Sequence, residues 1–76
     1  MNKQKRTEIT EVYEELNNLL SRLETLRDEE QDYYDNMPES FKDAEKGQAA
    51  DAAANALSSA VDCISDVMSN LEDSLS

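Results

Sequence analysis

The stretch Asp28–Phe41, DEEQDYYDNMPESF, separates two long segments that have the apolar spacing of helices. It contains the only proline of the chain, Pro38, and the only phenylalanine, Phe41. The residue before a proline is pushed out of the α-helical region, so Met37 is predicted to mark the end of a helix. A corner is therefore expected over residues 36–43. A separate helical turn at Pro38–Phe41 is favoured there over a capping box that begins the second helix at Ser40.

Upstream of the corner, apolar residues recur in alternating steps of three and four, which predicts a helix with a heptad seam. The seam consists of Ile9, Val12, Leu16, Leu19, Leu23 and Leu26, and its frame continues through Glu30, Tyr33 and Met37. Tyr13 and Leu20 lie beside the seam and widen it. With Thr7 as the N-cap, this first helix is predicted over about residues 7–35, after a disordered basic N-terminus at residues 1–6.

Downstream of the corner, a second helix is predicted over about residues 44–75. Its first turns are rich in alanine, the strongest helix former, and a second heptad seam of larger residues follows. This seam consists of Leu57, Val61, Ile64, Met68, Leu71 and Leu75, and it is widened by Ala53, Ala60 and Val67. Gly47 is unfavourable inside a helix, which indicates a bend, a late helix start or a close backbone contact.

Together these patterns predict an all-α domain, an antiparallel helical hairpin with heptad-like seams. A two-helix layer leaves the outer part of each apolar stripe exposed, and a chain of 76 residues has little core of its own. A second copy would complete a dimeric four-helix bundle; the alternative is cover from a host protein. The predicted interface between copies consists of Leu16, Leu20, Leu23, Ile64, Val67 and Leu71.

Composition argues against several classes of function. The chain has no histidine and one cysteine, so it lacks the commonest general base and metal ligand and cannot form an internal disulfide. Cys63 stands beside Asp62, and a nearby acid disfavours a reactive thiolate. The acids match neither an EF-hand loop nor a di-iron bundle motif. We therefore expect no enzymatic activity, no metal and no cofactor. The lack of a long apolar run further predicts a cytoplasmic protein that does not enter membranes.

The charge is strongly acidic and unevenly distributed. Three of the seven basic residues lie at Lys3, Lys5 and Arg6, whereas all 18 acidic residues follow Thr7. Such a chain repels nucleic acid and favours basic protein surfaces. The acids are densest beside the corner, and a tyrosine next to carboxylates is typical of protein-binding surfaces. The predicted partner-binding residues are Asp28, Glu29, Asp32, Tyr34 and Asp35. In this interpretation Tyr33 packs inward with Met37 and Phe41, and Tyr34 is partly exposed.

Carboxylates also recur along both predicted helices, at a spacing that could imitate the phosphate rows of a duplex. They are Glu8, Glu11, Glu15, Asp28, Glu29, Asp32 and Asp35 on the first helix, with Asp51, Asp62, Asp66, Glu72 and Asp73 on the second. One hypothesis is therefore a nucleic-acid mimic that occupies the basic groove of another protein. The other is a structural or adaptor oligomer in which acidity only confers solubility.

The core DEEQDYYDNMPESFK, followed by an alanine-rich amphipathic helix, resembles a group of short acidic helical proteins of bacteriophages and prophages. The resemblance covers about residues 28–60 and is most specific at Asn36-Met37-Pro38-Glu39, whereas the serine-rich tail after Leu57 departs from it. No general activity is established for that group, so it assigns no functional residues. It implies a phage-encoded inhibitor of a host defence or nucleic-acid-processing protein, acting in the bacterial cytoplasm.

Overall fold

A computed structural model describes all residues, 1–76, and it is all-helical, with 89% of the chain in helices and no strand. Three helices follow one another: α1 (Lys3–Asp35), α2 (Glu39–Lys42) and α3 (Glu45–Leu75). α3 returns alongside α1 in the antiparallel direction, since Arg6 Nη1 donates to the carbonyl of Leu75 at 2.6 Å and Tyr13 hydrogen-bonds Glu72. The prediction of an all-α chain is confirmed.

The N-terminus of α1 lies four residues before the predicted start at Thr7. Asn2 has an extended backbone, and its side-chain oxygen accepts a 2.7 Å hydrogen bond from the backbone N–H of Lys5. This caps one of the N–H groups that a helix start leaves without a partner. Thr7 is an internal residue whose hydroxyl donates to the carbonyl of Lys3 at 3.0 Å. The helix therefore includes most of the basic segment that was predicted to be disordered.

The corner contains a separate helical turn, as the sequence favoured. α1 ends at Asp35, where the backbone N–H of Asn36 donates to the carbonyl of Asp32. The carbonyl of Pro38 then accepts from the backbone N–H groups of Phe41 and Lys42, at 2.9 and 3.2 Å, which forms α2. α3 begins one residue after the predicted position, at Glu45, and no side chain caps it.

Gly47 is buried because the corner passes directly over it. A β-carbon at this position would overlap the carbonyl oxygens of Lys42 and Phe41, the second at 2.5 Å. Such a distance is well inside van der Waals contact, and both atoms belong to the backbone, which cannot rotate away. Of the three explanations that the sequence left open, the close backbone contact is the one observed.

The core is thin and belongs almost entirely to α3. Its buried residues are Gly47, Ala50, Ala54, Val61 and Met68, and no residue of α1 is buried. The molecule is elongated, with a Cα radius of gyration of 17.2 Å, against about 11 Å for a compact domain of this length. Its accessible surface of 5558 Å² likewise exceeds the roughly 4,700 Å² of a compact monomer of this mass.

The apolar side of α1 consists of three neighbouring rows, and within each row the residues are seven positions apart. The Ile9 row contains Ile9, Leu16, Leu23, Glu30 and Met37; the Val12 row contains Val12, Leu19, Leu26 and Tyr33; the Tyr13 row contains Tyr13, Leu20, Arg27 and Tyr34. The Ile9 and Tyr13 rows are half-buried against α3, whereas every member of the Val12 row is exposed. The predicted seam combined the Ile9 and Val12 rows. It is correct for the Ile9 row and wrong for the Val12 row, which does not pack against α3.

The reason is that helical spacing is symmetric about the Ile9 row. The Val12 and Tyr13 rows flank it on opposite sides, roughly 40–60° away, so periodicity alone could not choose between them. α3 lies on the side of the Tyr13 row, where Tyr13 finds a polar partner on Glu72. The second seam needed no such choice: Val61 and Met68 are buried, and Leu57, Ile64, Leu71 and Leu75 are half-buried.

Candidate functional site

The acidic cluster lies on the outer surface of α1, close to the corner. Asp28, Asp32 and Asp35 follow one another in steps of four and three, which places them on one side of the helix, and Glu29 lies beside them. All four are exposed. The structure therefore brings the four predicted carboxylates together on a single open surface.

Few positive charges compensate these acids. Arg27 Nη2 pairs with Asp28 Oδ1 at 3.1 Å, and Lys42 Nζ pairs with Glu39 Oε1 at 3.5 Å; these are the only ion pairs in the chain. Asp35 accepts a 3.0 Å hydrogen bond from the amide of Gln31, which is neutral. Glu29 and Asp32 have no ion-pair partner. The cluster is thus a source of largely uncompensated negative potential.

The two adjacent tyrosines occupy the reverse of their predicted positions. Tyr34 is half-buried, and the ammonium of Lys42 lies 5.5 Å from the centre of its ring, within the range of a cation–π contact. Tyr33 is 52% exposed, because it belongs to the Val12 row, on the side of the Ile9 row that α3 does not cover. The open aromatic ring is therefore that of Tyr33, which lies one turn from Glu29, at the edge of the cluster. Tyr34, predicted to bind a partner, already has an intramolecular cation on its ring.

Three shallow depressions mark the surface, and all of them border the Val12 row. The first, of about 230 Å³, is lined by Tyr33, Met37, Phe41 and Lys46, so the predicted grouping of these two aromatics with Met37 occurs at an open surface. The second, of about 340 Å³, lies near the N-terminus and is lined mainly by Lys5, Glu8, Ile9, Val12 and Leu71. The third, of about 230 Å³, is lined by Arg22, Thr25 and Leu26. None is an enclosed pocket.

Five of the six residues predicted to join two copies are already engaged within the chain. Leu16, Leu20 and Leu23 belong to the rows of α1 that face α3, and Ile64 and Leu71 belong to the returning seam; all five are half-buried. Val67 alone is exposed, at 45%. The Val12 row, which the sequence placed inside the hairpin, is the larger open apolar surface. Its exposure depends on the side from which α3 approaches α1, which no sequence pattern revealed.

Two further polar groups, Tyr13 and Cys63, lie away from the acidic cluster. Tyr13 Oη donates a 2.6 Å hydrogen bond to Glu72 Oε1, and this bond, with lesser contributions from desolvation and the negative charge of Glu72, raises the pKa of Tyr13 above its ordinary 10.0. Cys63 is exposed and unpaired. No three acidic or thiol side chains converge to hold a metal ion. None of the helices has both the length and the apolar character of a membrane-crossing segment.

The chain matches no known protein-family model, no curated protein and no solved structure.

Proposed function

We propose that the protein is a non-enzymatic binding module, a homodimer of helical hairpins that docks its acidic outer surface on a basic surface of another protein. The observation that supports this most directly is the lack of charge compensation: the chain carries 18 acidic residues and makes two ion pairs. The thin core and the exposed Val12 row support the dimer, because both leave apolar surface that a partner would remove from water.

The proposed partner is a bacterial host protein that acts in defence or in nucleic-acid processing, and the proposed effect is inhibition. The resemblance of residues 28–60 to small acidic phage proteins supports the setting, which is the bacterial cytoplasm. The shape supports the mode of binding. The chain is a rod of 59 × 15 × 14 Å with exposed carboxylates on both long helices, and a basic groove built for phosphate rows could accept it.

The alternative is a structural or adaptor oligomer whose acids only keep it soluble. The exposed apolar side of α1 favours this candidate, because it would serve assembly whether or not the acids bind anything. The two candidates differ in which substitutions abolish function. Charge reversal in the acidic cluster abolishes function in the first, whereas loss of the apolar surface abolishes it in both.

Reversal of the four clustered charges tests the docking proposal. A variant that carries Asp28→Lys, Glu29→Lys, Asp32→Lys and Asp35→Lys is compared with the unmodified chain in affinity capture from a bacterial lysate. The matched control carries Glu8→Lys, Glu11→Lys, Glu14→Lys and Glu15→Lys, which changes the net charge by the same amount at the other end of α1. Circular dichroism checks that both variants remain helical.

The expected result is a basic host protein that the unmodified chain and the control capture and the cluster variant loses. Its affinity should fall as salt rises through the range in which exposed charges become screened. Capture that survives reversal of the cluster would refute docking through these carboxylates. Equal loss in the cluster variant and in the control would point to general acidity rather than to this surface.

A further inference from the structure

One side of α3 is free of charge over the whole length of the helix after Lys46. The acids of this part of the helix, Asp51, Asp62, Asp66, Glu72 and Asp73, all lie on the remaining side. The uncharged side consists of four rows of residues spaced seven apart. Two belong to the seam, Leu57, Ile64 and Leu71 in one and Val61, Met68 and Leu75 in the other. The others are the row of Ala53, Ala60 and Val67 and the more lateral row of Ala49, Ala56, Cys63 and Asn70. The uncharged arc covers roughly 150° of the helix, several times the arc that the seam itself occupies.

The uncharged side of α3 and the Val12 row of α1 lie on the same side of the molecule. Tyr13 and Glu72 meet on the opposite side, which fixes the orientation of both helices about their axes. On α1, the Val12 row lies across the Ile9 row from Tyr13; on α3, Val67 lies across the seam from Glu72. We call this combined surface the neutral face: the Val12 row with Ala53, Ala60 and Val67.

The opposite surface of the helix pair is polar. The corresponding rows there contain Thr10, Asn17, Glu24 and Gln31 on α1, and Asp51, Ser58, Ser65 and Glu72 on α3. The exposed members of the neutral face are large by comparison: Val12, Leu19 and Leu26 are each 46–49% exposed. Between Lys5 at one end and Lys46 at the other, the chain therefore keeps charge out of the neutral face but not out of the opposite surface, and the neutral face retains its open apolar side chains.

We propose that the neutral face receives the neutral face of a second copy of this chain, in a two-fold arrangement that places α1 of each copy over α3 of the other. This inference rests on the proposed dimer and specifies its surface and its arrangement. In this dimer the α1 residues that contact the second copy are those of the Val12 row, instead of the predicted Leu16, Leu20 and Leu23. The two-fold axis runs along the rod, so both corners lie at the same end of the bundle.

Electrostatics favours this arrangement over one that places α1 on α1. The edge of α1 that borders the neutral face carries Glu8, Glu15 and Glu29, with Arg22 as its one positive charge. In an α1-on-α1 dimer these acidic edges would oppose each other, and like charges at close range repel. In the proposed dimer each acidic edge meets the lateral row of α3, which carries no charge.

Side-chain size favours the same arrangement. The Val12 row supplies large residues, and the facing row of α3 supplies Ala53 and Ala60 before Val67. Large residues packed against small ones interdigitate, whereas alanine opposite alanine would leave a gap. The face extends over about 30 Å from Val12 to Tyr33 and across both helices, which corresponds to a buried area on the order of 1,000 Å² for the two copies. That reaches the lower bound for a specific interface.

Distances between spin labels test the arrangement. A nitroxide is attached at Asn36→Cys in a chain that also carries Cys63→Ser, since Asn36 is exposed at the corner and Cys63 is the only native thiol. With both corners at one end, labels on diagonal helices should lie roughly 15–30 Å apart. Reversed copies would place the labels at opposite ends, roughly 40 Å or more apart.

A second measurement identifies the contact surface. Leu26→Asp places a charge on the neutral face and Asn17→Asp places the same charge on the polar surface, so sedimentation of the two variants forms a matched pair. The expected result is a short label distance, a dimer that Leu26→Asp weakens at least tenfold, and a dimer that Asn17→Asp leaves intact. A long distance would overturn the arrangement, and equal effects of the two variants would overturn the surface. A monomer without dipolar coupling would overturn the second copy itself, while the charge-reversal capture would still test acidic docking.

Discussion

The hydroxyl of Tyr13 lies 2.6 Å from a carboxylate oxygen of Glu72, 59 residues further along the chain. This contact marks the register in which α3 returns along α1. Tyr13 and Glu72 meet on the polar surface of the helix pair, opposite the neutral face. The Val12 row lies on the other surface, which α3 leaves exposed.

The hydrogen bond to Glu72 leads to a prediction for alkaline pH. The folded chain favours the neutral phenol, so the pKa of Tyr13 is raised in the folded state. The stability that this hydrogen bond adds to the folded chain is therefore complete below the phenol's ordinary pKa of about 10. It is lost as pH rises through the higher pKa of Tyr13 in the folded chain. In a spectrophotometric titration Tyr13 should ionise at higher pH than the same residue in the unfolded chain. Tyr13→Phe should remove the tyrosine that ionises at higher pH, whereas Tyr33→Phe, a change at an exposed tyrosine, should leave that ionisation in place.

Gly47→Ala should destabilise the chain although alanine is the better helix former. The added β-carbon would overlap the backbone carbonyls of Lys42 and Phe41, and overpacking of this kind costs about 1–3 kcal/mol. Asn55→Ala is the matched control, because it adds alanine at an exposed position of the same helix, away from the corner. Urea unfolding should show a lower midpoint for Gly47→Ala only. An equal or higher midpoint would mean that the corner does not pack on Gly47.

Met68→Ala and Val67→Ala should separate the core from the neutral face. Met68 is 7% exposed, so its truncation should lower the free energy of unfolding by about 2–3 kcal/mol. Val67, its neighbour, is 45% exposed and should change the unfolding of a dilute sample by less than about 0.5 kcal/mol. If the proposed dimer forms, the effect of Val67→Ala should grow with protein concentration. Equal losses at low concentration would contradict the assigned burial.

Added salt should stabilise the chain. The net charge is −11 and two ion pairs offset little of it, so repulsion among exposed carboxylates opposes the folded state. Raising ionic strength from about 0.01 M to 0.15 M shortens the screening length from about 30 Å to 8 Å and should raise the thermal midpoint by a few degrees. An uncharged co-solute at the same osmolality controls for general solvent effects. A midpoint that falls with salt would show that attractive pairs dominate.

Much of the fold follows from local chemistry in the sequence. Apolar spacing predicted two long helices, and Pro38 placed the corner between them. The α3 seam from Leu57 to Leu75 was also predictable, since only one run of large apolar residues satisfies its spacing. The cap at Asn2 was missed because residues 1–6, polar and basic, were expected to be disordered, and Thr7 was taken as the capping residue. Both residue types favour that position, and the difference lies in the hydrogen bond that Asn2 makes to Lys5.

Of the two candidate surfaces, the acidic cluster follows from the sequence, whereas the exposed apolar row follows from the tertiary structure. The sequence alone determined that four carboxylates gather on one side of a helix beside the corner, because steps of three and four residues superpose side chains on any helix. Tertiary structure alone decided that Leu20 and Tyr34 face α3 while Leu19 and Tyr33 face outward. The physical reason is that α1 has apolar residues on both sides of the Ile9 row, and one returning helix can cover only one of those sides.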